Sequence, residues 1–137
     1  FYKLKSFIRI CADSPMIDSR ILDKAIKIFK SNKFDIITNK FPRSYPRGQT
    51  IEIIKSKVFL NSISLIKTLD EKEHVTLHLY KNYKNFKIKN FSCSNDFSNK
   101  SLSIDNKNDF KNFEDYLNKN NFSLKNISYK KILDNYF

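Results

Sequence analysis

An apolar run over residues 6 to 11 leads into Ala12-Asp13-Ser14-Pro15-Met16-Ile17-Asp18, and a helical stripe of apolar residues follows at once. A strand that delivers an aspartate to its C-terminal end and turns at a proline into a helix is how open α/β sheets place a phosphate- or metal-handling carboxylate in the ligand crevice. The order of these elements points to nucleotide chemistry on an α/β scaffold.

The rest of the chain reads as a continuation of that scaffold. Asp18 or Ser19 can cap a helix over 19 to 31, in which Ile21, Leu22, Ala25, Ile28 and Phe29 form one half-buried face. A second strand is expected over 34 to 38, so that strand, helix and strand make a parallel crossover unit. Residues 39 to 50 hold Pro42, Pro46 and Gly48, the one glycine in the chain. A sequence that uses glycine once uses it where the backbone needs a geometry or a close approach that other residues resist. Ile51 to Ile54 reads as a strand, and Ser56 caps a helix to about Thr68 with Val58, Phe59, Ile63 and Ile66 inward. Helical turns are expected over 73 to 80, a strand over 86 to 93, a last short strand over 101 to 104, and a helix over 107 to 119. A terminal helix starts at Ser123 or Ser128.

Length and composition narrow the choice of partner. A chain of 137 residues is one domain's worth, read here as a single domain over 1–137. Its formal charge of +12 comes almost wholly from lysine, 22 Lys against 4 Arg, spread thinly among 16 Asn. Nucleic-acid readers concentrate Arg and Lys on one face between aromatic platforms. The thin spread predicts no nucleic-acid partner. No stretch reaches the roughly eighteen apolar residues of a membrane span, so no membrane partner is expected either. Cys11 and Cys93 belong to no Cys-x-x-Cys pair and read as reduced, buried residues of a cytoplasmic protein. The chain begins at Phe1 in the approach to a strand, which reads as a piece of a domain whose upstream portion is absent.

The candidate chemistry lies in carboxylates and arginines. Asp13 and Asp105 each follow a short apolar strand and could together hold Mg²⁺, which takes oxygen ligands and is commonly shared between one or two carboxylates and substrate phosphates. Each could instead cap a helix. Arg43 and Arg47, beside Gly48, carry the planar fork that suits carboxylate or phosphate, or else lie on a solvated loop. Glu52 sits in an apolar strand, where a carboxylate is expensive unless it is paired, faces a cavity or faces solvent from an edge. Glu73 and His74 bring an acid and a titratable ring to one short segment.

Taken in order, Arg9 to Asp18, Asn39, Tyr45-Pro46-Arg47-Gly48 with Glu52, Glu73-His74-Val75-Thr76, and Ile104-Asp105 with Asp109 resemble the cytidylyltransferases of the spore-coat polysaccharide synthesis type. These are related to the acylneuraminate and Kdo cytidylyltransferases. The resemblance covers nearly the whole chain and implies a Rossmann-like, three-layer α/β nucleotidyltransferase (nucleotide-diphospho-sugar transferase-like) fold. It implies transfer of CMP from CTP to a nonulosonic-acid-like or other cell-surface polysaccharide sugar, with release of pyrophosphate. It also implies Mg²⁺ held by Asp13 and Asp105 as the catalytic and metal residues. Asn39, Arg43, Tyr45, Arg47, Gly48, Glu52, Glu73 and His74 would bind substrate, and the related enzymes commonly form homodimers. The chain departs from the pattern at Cys11-Ala12, where Thr-Gly is more usual, and at Lys72, where Arg is commoner. The family's opening strand and nucleotide loop have no counterpart in it, so residues 1–137 alone are expected to be inactive. The competing readings are a non-catalytic, transferase-like binding or scaffold domain and a basic nucleic-acid module.

Overall fold

The computed structural model describes residues 3–31, 33–120 and 128–136. The elements run β1 (Ser6–Arg9), α1 (Ser19–Phe29), β2 (Ile36–Thr38), β3 (Glu52–Lys55), α2 (Ser56–Ile63), α3 (Leu69–Glu73), α4 (Leu77–Lys81), β4 (Ile88–Asn90), α5 (Lys107–Asn120) and α6 (Tyr129–Tyr136), with a 3-10 turn at Tyr83–Asn85. The strands form one sheet in the order β1-β3-β2-β4, with β3 antiparallel to both neighbours and β2 parallel to β4. β1 and β2 therefore run the same way, as a crossover through α1 predicts, but β3 is inserted between them.

Burial on both sides explains the unbroken apolar runs of the central strands. Ile37 and Ile53 face a core that also holds Ile21 and Ala25 of α1, Phe91, Tyr116 of α5, and Tyr129 and Ile132 of α6. Ile36 and Ile54 face the other way, onto Leu79 of α4, with Phe7, Val58, Phe59, Phe86 and Ile88 packed around them. The result is helices on both faces of a sheet. Asp18 starts α1 as its N-cap and accepts from the Arg20 N–H at 2.9 Å.

Several boundaries differ from the sequence reading, each for a local reason. β1 ends at Arg9, because a turn at Cys11 takes over, with the Ser14 N–H donating to the Cys11 carbonyl at 3.2 Å. α2 stops at Ile63, which is 47% exposed and does not point inward; Ser56 is its first residue, and the N-cap position falls on Lys55. The expected helical segment over 73–80 is two helices, and the first starts earlier because Thr68 and Glu71 form a capping box. Residues 101–104 contribute a single parallel bridge, Arg47 to Ser101, in place of a strand. The terminal helix begins after Ser128, while Ser123 lies outside the described residues.

That bridge depends on Gly48. Pro46 to Gln49 make a turn closed by the Gln49 N–H on the Pro46 carbonyl at 3.2 Å, and Gly48 takes the φ of +80° that a type II turn requires at its third position. A Cβ on Gly48 would meet the backbone carbonyl carbon of Leu102 at 2.5 Å. Both expectations for the lone glycine, an unusual backbone geometry and a close approach, are met at once. Because the neighbour is backbone and cannot rotate away, Gly48→Ala is expected to lower the unfolding free energy by at least about 2 kcal/mol in denaturant titration. A loss below about 0.5 kcal/mol would show that this contact is not tight.

Candidate functional site

β1, β2 and β4 end along one edge of the sheet and β3 begins there, so this edge gathers the loops that leave the parallel strands. Its centre is Glu52, a carboxylate with no solvent exposure. The antiparallel register sets Glu52 opposite Arg9 on β1 and opposite Thr38 on β2, so the three side chains share a face. Arg9 Nη1 reaches Glu52 Oε2 at 2.5 Å, and the Tyr80 hydroxyl, brought in by α4, donates to Glu52 Oε1 at 2.5 Å. Lys40 Nζ lies 3.5 Å from the same oxygen and 4.8 Å from the centre of the Tyr80 ring. Burial would depress the Arg9 guanidinium, but the charge and hydrogen bond of Glu52, reinforced by the Cys11 thiol, outweigh it and hold Arg9 more firmly protonated than usual. Burial, then Glu52, raises the Tyr80 phenol well above its ordinary range, so Tyr80 serves as a fixed donor.

Around this centre the field is cationic. Arg43 is half-buried, donates to Thr50 Oγ1 at 3.1 Å, and lies within electrostatic reach of Arg47, Cys11 and Glu52. Burial, then the charge of Arg47, pulls its pKa below the usual arginine value, against the opposing pull of Glu52. Arg47 is exposed, and its guanidinium makes no hydrogen bond or ion pair among the described residues. Phe41 packs on Tyr80 and Tyr83 at 5.1 and 5.7 Å between ring centres, giving the cluster an aromatic border. One buried carboxylate among four cations leaves room for an anionic group.

Asp13 and Asp105 come together along the same edge. The Ile104 N–H donates to the Asp13 carbonyl at 2.9 Å, which sets the backbone of one aspartate beside the residue that precedes the other. Both side chains are exposed. Asp13 Oδ1 accepts from the Ser14 hydroxyl at 2.8 Å and Asp105 Oδ2 from the Ser103 hydroxyl at 3.0 Å. Neither caps a helix. α1 starts at Ser19, and at α5 the cap is Asn106, whose Oδ1 accepts from the Asp109 N–H at 3.1 Å while Asp109 Oδ2 accepts from the Asn106 N–H at 3.1 Å. The donor set, two carboxylates with neighbouring hydroxyls and no cationic partner among the described residues, suits a hard divalent cation that takes its remaining ligands from phosphate or water. No group of three or more His, Cys, Asp or Glu gathers into a metal site among the described residues.

Other expected substrate residues do structural work or stand apart. Asn39 is 1% exposed and clamps the glycine loop, donating to the Gln49 carbonyl at 2.7 Å and accepting from the Ile51 N–H at 2.9 Å. Tyr45 is buried in an aromatic cluster with Phe91 and Tyr129. Glu73, the last residue of α3, and His74, its C-cap, are exposed; the His74 ring lies 3.8 Å from Asp70, and among the described residues neither joins Arg47 or Glu52. The acid that is built into that region is Glu71, held down to about 2 by the N–H groups of Lys67 and Thr68 and by His78.

No known family model matches the chain, and no curated protein matches it. Among solved structures it is similar to a cytidylyltransferase from Leptospira borgpetersenii serovar Hardjo-bovis (strain JB197), with a TM-score of 0.87 and 27% identity. The match covers 97% of this chain and 56% of that one, so the chain spans little more than half the length of its structural neighbour. The fold is that of a cytidylyltransferase.

Arg9, Lys40 and Tyr80 were not among the residues singled out from the sequence as substrate-binding. The available signal was an arginine inside one apolar strand and a glutamate inside another, two costs that cancel only if the strands pair in register. Removing the acid isolates Arg9, so Glu52→Ala is expected to cost about 3 kcal/mol or more in urea denaturation. Tyr80→Phe, which removes only one donor, is expected to cost about 1 to 2 kcal/mol. Equal and negligible losses would mean that the ion pair is not formed.

Proposed function

We propose that this chain forms the acceptor side and the metal-binding edge of an enzyme that transfers CMP from CTP to an acidic sugar of cell-surface polysaccharide. The observation that supports this reading is a cluster of cations around the buried Glu52, together with a backbone bond that sets Asp13 beside Ile104 and Asp105, in a chain with the cytidylyltransferase fold.

In the reaction a sugar hydroxyl attacks the α-phosphorus, and the new P–O bond forms as the bond to the pyrophosphate oxygen breaks. Little covalent work falls to the protein, which positions the reactants and balances charge. Arg43 and Arg47 would hold the acid group of the sugar, with Arg43 already seated by Thr50. Glu52, Arg9 and Tyr80 form the rigid floor that orients the loop carrying both arginines. Asp13 and Asp105 would hold Mg²⁺, which when bound neutralises phosphate charge.

The test uses the gene product with CTP, Mg²⁺ and a panel of acidic and neutral sugars, followed by pyrophosphate release. Turnover is expected with an acidic sugar. Arg47→Ala is expected to raise the sugar KM about tenfold and leave the CTP KM nearly unchanged. Asp105→Asn is expected to lower kcat at least about 100-fold with the fold intact. No CTP consumption with any sugar would favour the scaffold reading, and equal effects of Arg47→Ala on both substrates would remove the sugar assignment.

A further inference from the structure

A second group of cations lies apart from the Glu52 cluster, between the start of α1 and the start of α6. Here Ile21, Tyr45 and Tyr129 wall a cavity of about 240 Å³, and Arg20, Lys24 and Lys130 stand around it. None of Arg9, Arg43, Arg47, Asp13, Asp105 and Glu52 lines it. Two of the three cations are held in place by the protein. Arg20 Nε and Nη2 donate to Asp18 Oδ1 and Oδ2 at 2.9 and 2.6 Å, which fixes the plane of the guanidinium and leaves Nη1 without a partner among the described residues. Lys24, one helical turn on, donates to the Ser92 carbonyl at 3.3 Å and lies 5.4 Å from the centre of the Phe91 ring. Lys130 arrives from α6, so cations distant in sequence converge on one hollow.

The charges at this hollow do not cancel. Among the described residues Asp18 is the one carboxylate that lines it, and Asp18 is 1% exposed, turned onto Arg20 and onto the Tyr129 N–H at 3.3 Å. Burial keeps the phenols of Tyr45 and Tyr129 protonated, so they add no negative charge. Three cations against one carboxylate leave two positive charges. That balance matches the dianion of a phosphate group and exceeds the single charge of a carboxylate. The outer edge of the Arg20 guanidinium, formed by Nη1 and Nη2, is the fork that pairs with two phosphate oxygens, and the lysines add point charges beside it. We propose that this cavity binds a dianionic phosphate group, free or carried as a monoester, at a site separate from Glu52 and from Asp13 and Asp105. Bound there, the anion joins Arg20 and Lys24 of α1 to Lys130 of α6 and reinforces the tie that Asp18 makes between the two helices. The proposal does not rest on the CMP-transfer reading, and its test measures no activity.

Inorganic phosphate, phenyl phosphate and benzoate, titrated separately into the gene product at one fixed ionic strength, test this through the NMR signals of the backbone amides. Saturable shifts are expected at Arg20, Lys24 and Lys130 with both phosphates, and benzoate is expected to bind at least about tenfold more weakly. Tighter binding of phenyl phosphate than of inorganic phosphate would assign the site to a monoester, and the reverse order to the free ion. Because the whole chain carries a formal charge of +12, a control of equal charge is needed. Lys24→Gln with Lys130→Gln is expected to weaken phosphate binding at least about tenfold, whereas Lys57→Gln with Lys84→Gln, at exposed positions that do not line the cavity, is expected to weaken it less than about threefold. Both double variants are expected to keep the far-ultraviolet circular dichroism of the unmodified protein. Equal weakening by the two pairs would overturn the proposal, as would benzoate binding as tightly as phenyl phosphate. So would shifts confined to Arg43 and Arg47, or no saturable shift at all.

Discussion

A carboxylate with no access to water is the constraint on which the rest of this structure turns. Leaving Glu52 unpaired would cost several kcal/mol, so everything around it is arranged to answer its charge. β1 must pair with β3 in the register that brings Arg9 opposite, and α4 must pack closely enough for the Tyr80 hydroxyl to arrive. The hairpin after β2 must carry Lys40 back over the Tyr80 ring. Because each partner comes from a different element, the pairing ties the sheet edge together at the point where its loops converge.

Beyond that pairing three loops are interlocked by polar side chains with almost no freedom. Gln49, fully buried, accepts from the Asp18 N–H at 2.9 Å and donates to the Met16 carbonyl at 2.6 Å, which binds the glycine loop to the turn after Asp13. Asn39 holds the other side of the same loop. Gly48 lets it press against Leu102, and from there the chain runs on to Ile104 and its bond with Asp13. Asp18 adds a fourth tie, accepting from the Tyr129 N–H at 3.3 Å and so docking the start of α6. Burial opposes ionisation of Asp18, but its bonds to Arg20 and Tyr129 overcome this and keep it below the usual carboxylate range. Aspartates distant in sequence become neighbours because each link in this chain is short and satisfied.

Much of this was legible in the sequence, and the illegible part has a common cause. The α1 stripe, the Asp18 cap, the α5 helix and the special position of Gly48 are local, and local patterns announced them. So was the order of the motifs, and the fold they implied is the fold observed. Insertion of β3 between β1 and β2 was not readable, since strand order is decided by which faces cover which. Nor was the work of Asn39 and Tyr45, because a polar or aromatic residue in a functional loop looks the same whether it meets a ligand or braces the backbone. Arg9 was hidden for the opposite reason: its partner lies 43 residues away, and only register reveals it. Residues 101–104 have the apolar look of a strand yet make one bridge, because they are held by the glycine loop and by Asp13 instead of by a sheet neighbour.

We propose that the Ile104-to-Asp13 contact makes one divalent-cation site of the exposed Asp13 and Asp105. Titrating Mn²⁺ into the gene product and following paramagnetic broadening of backbone amide signals tests it directly. Amides over 12 to 14 and over 104 to 106 are expected to broaden together at one Mn²⁺ concentration, and Asp13→Asn and Asp105→Asn are each expected to abolish both effects. Broadening of one segment without the other, or a titration that survives either substitution, would contradict it.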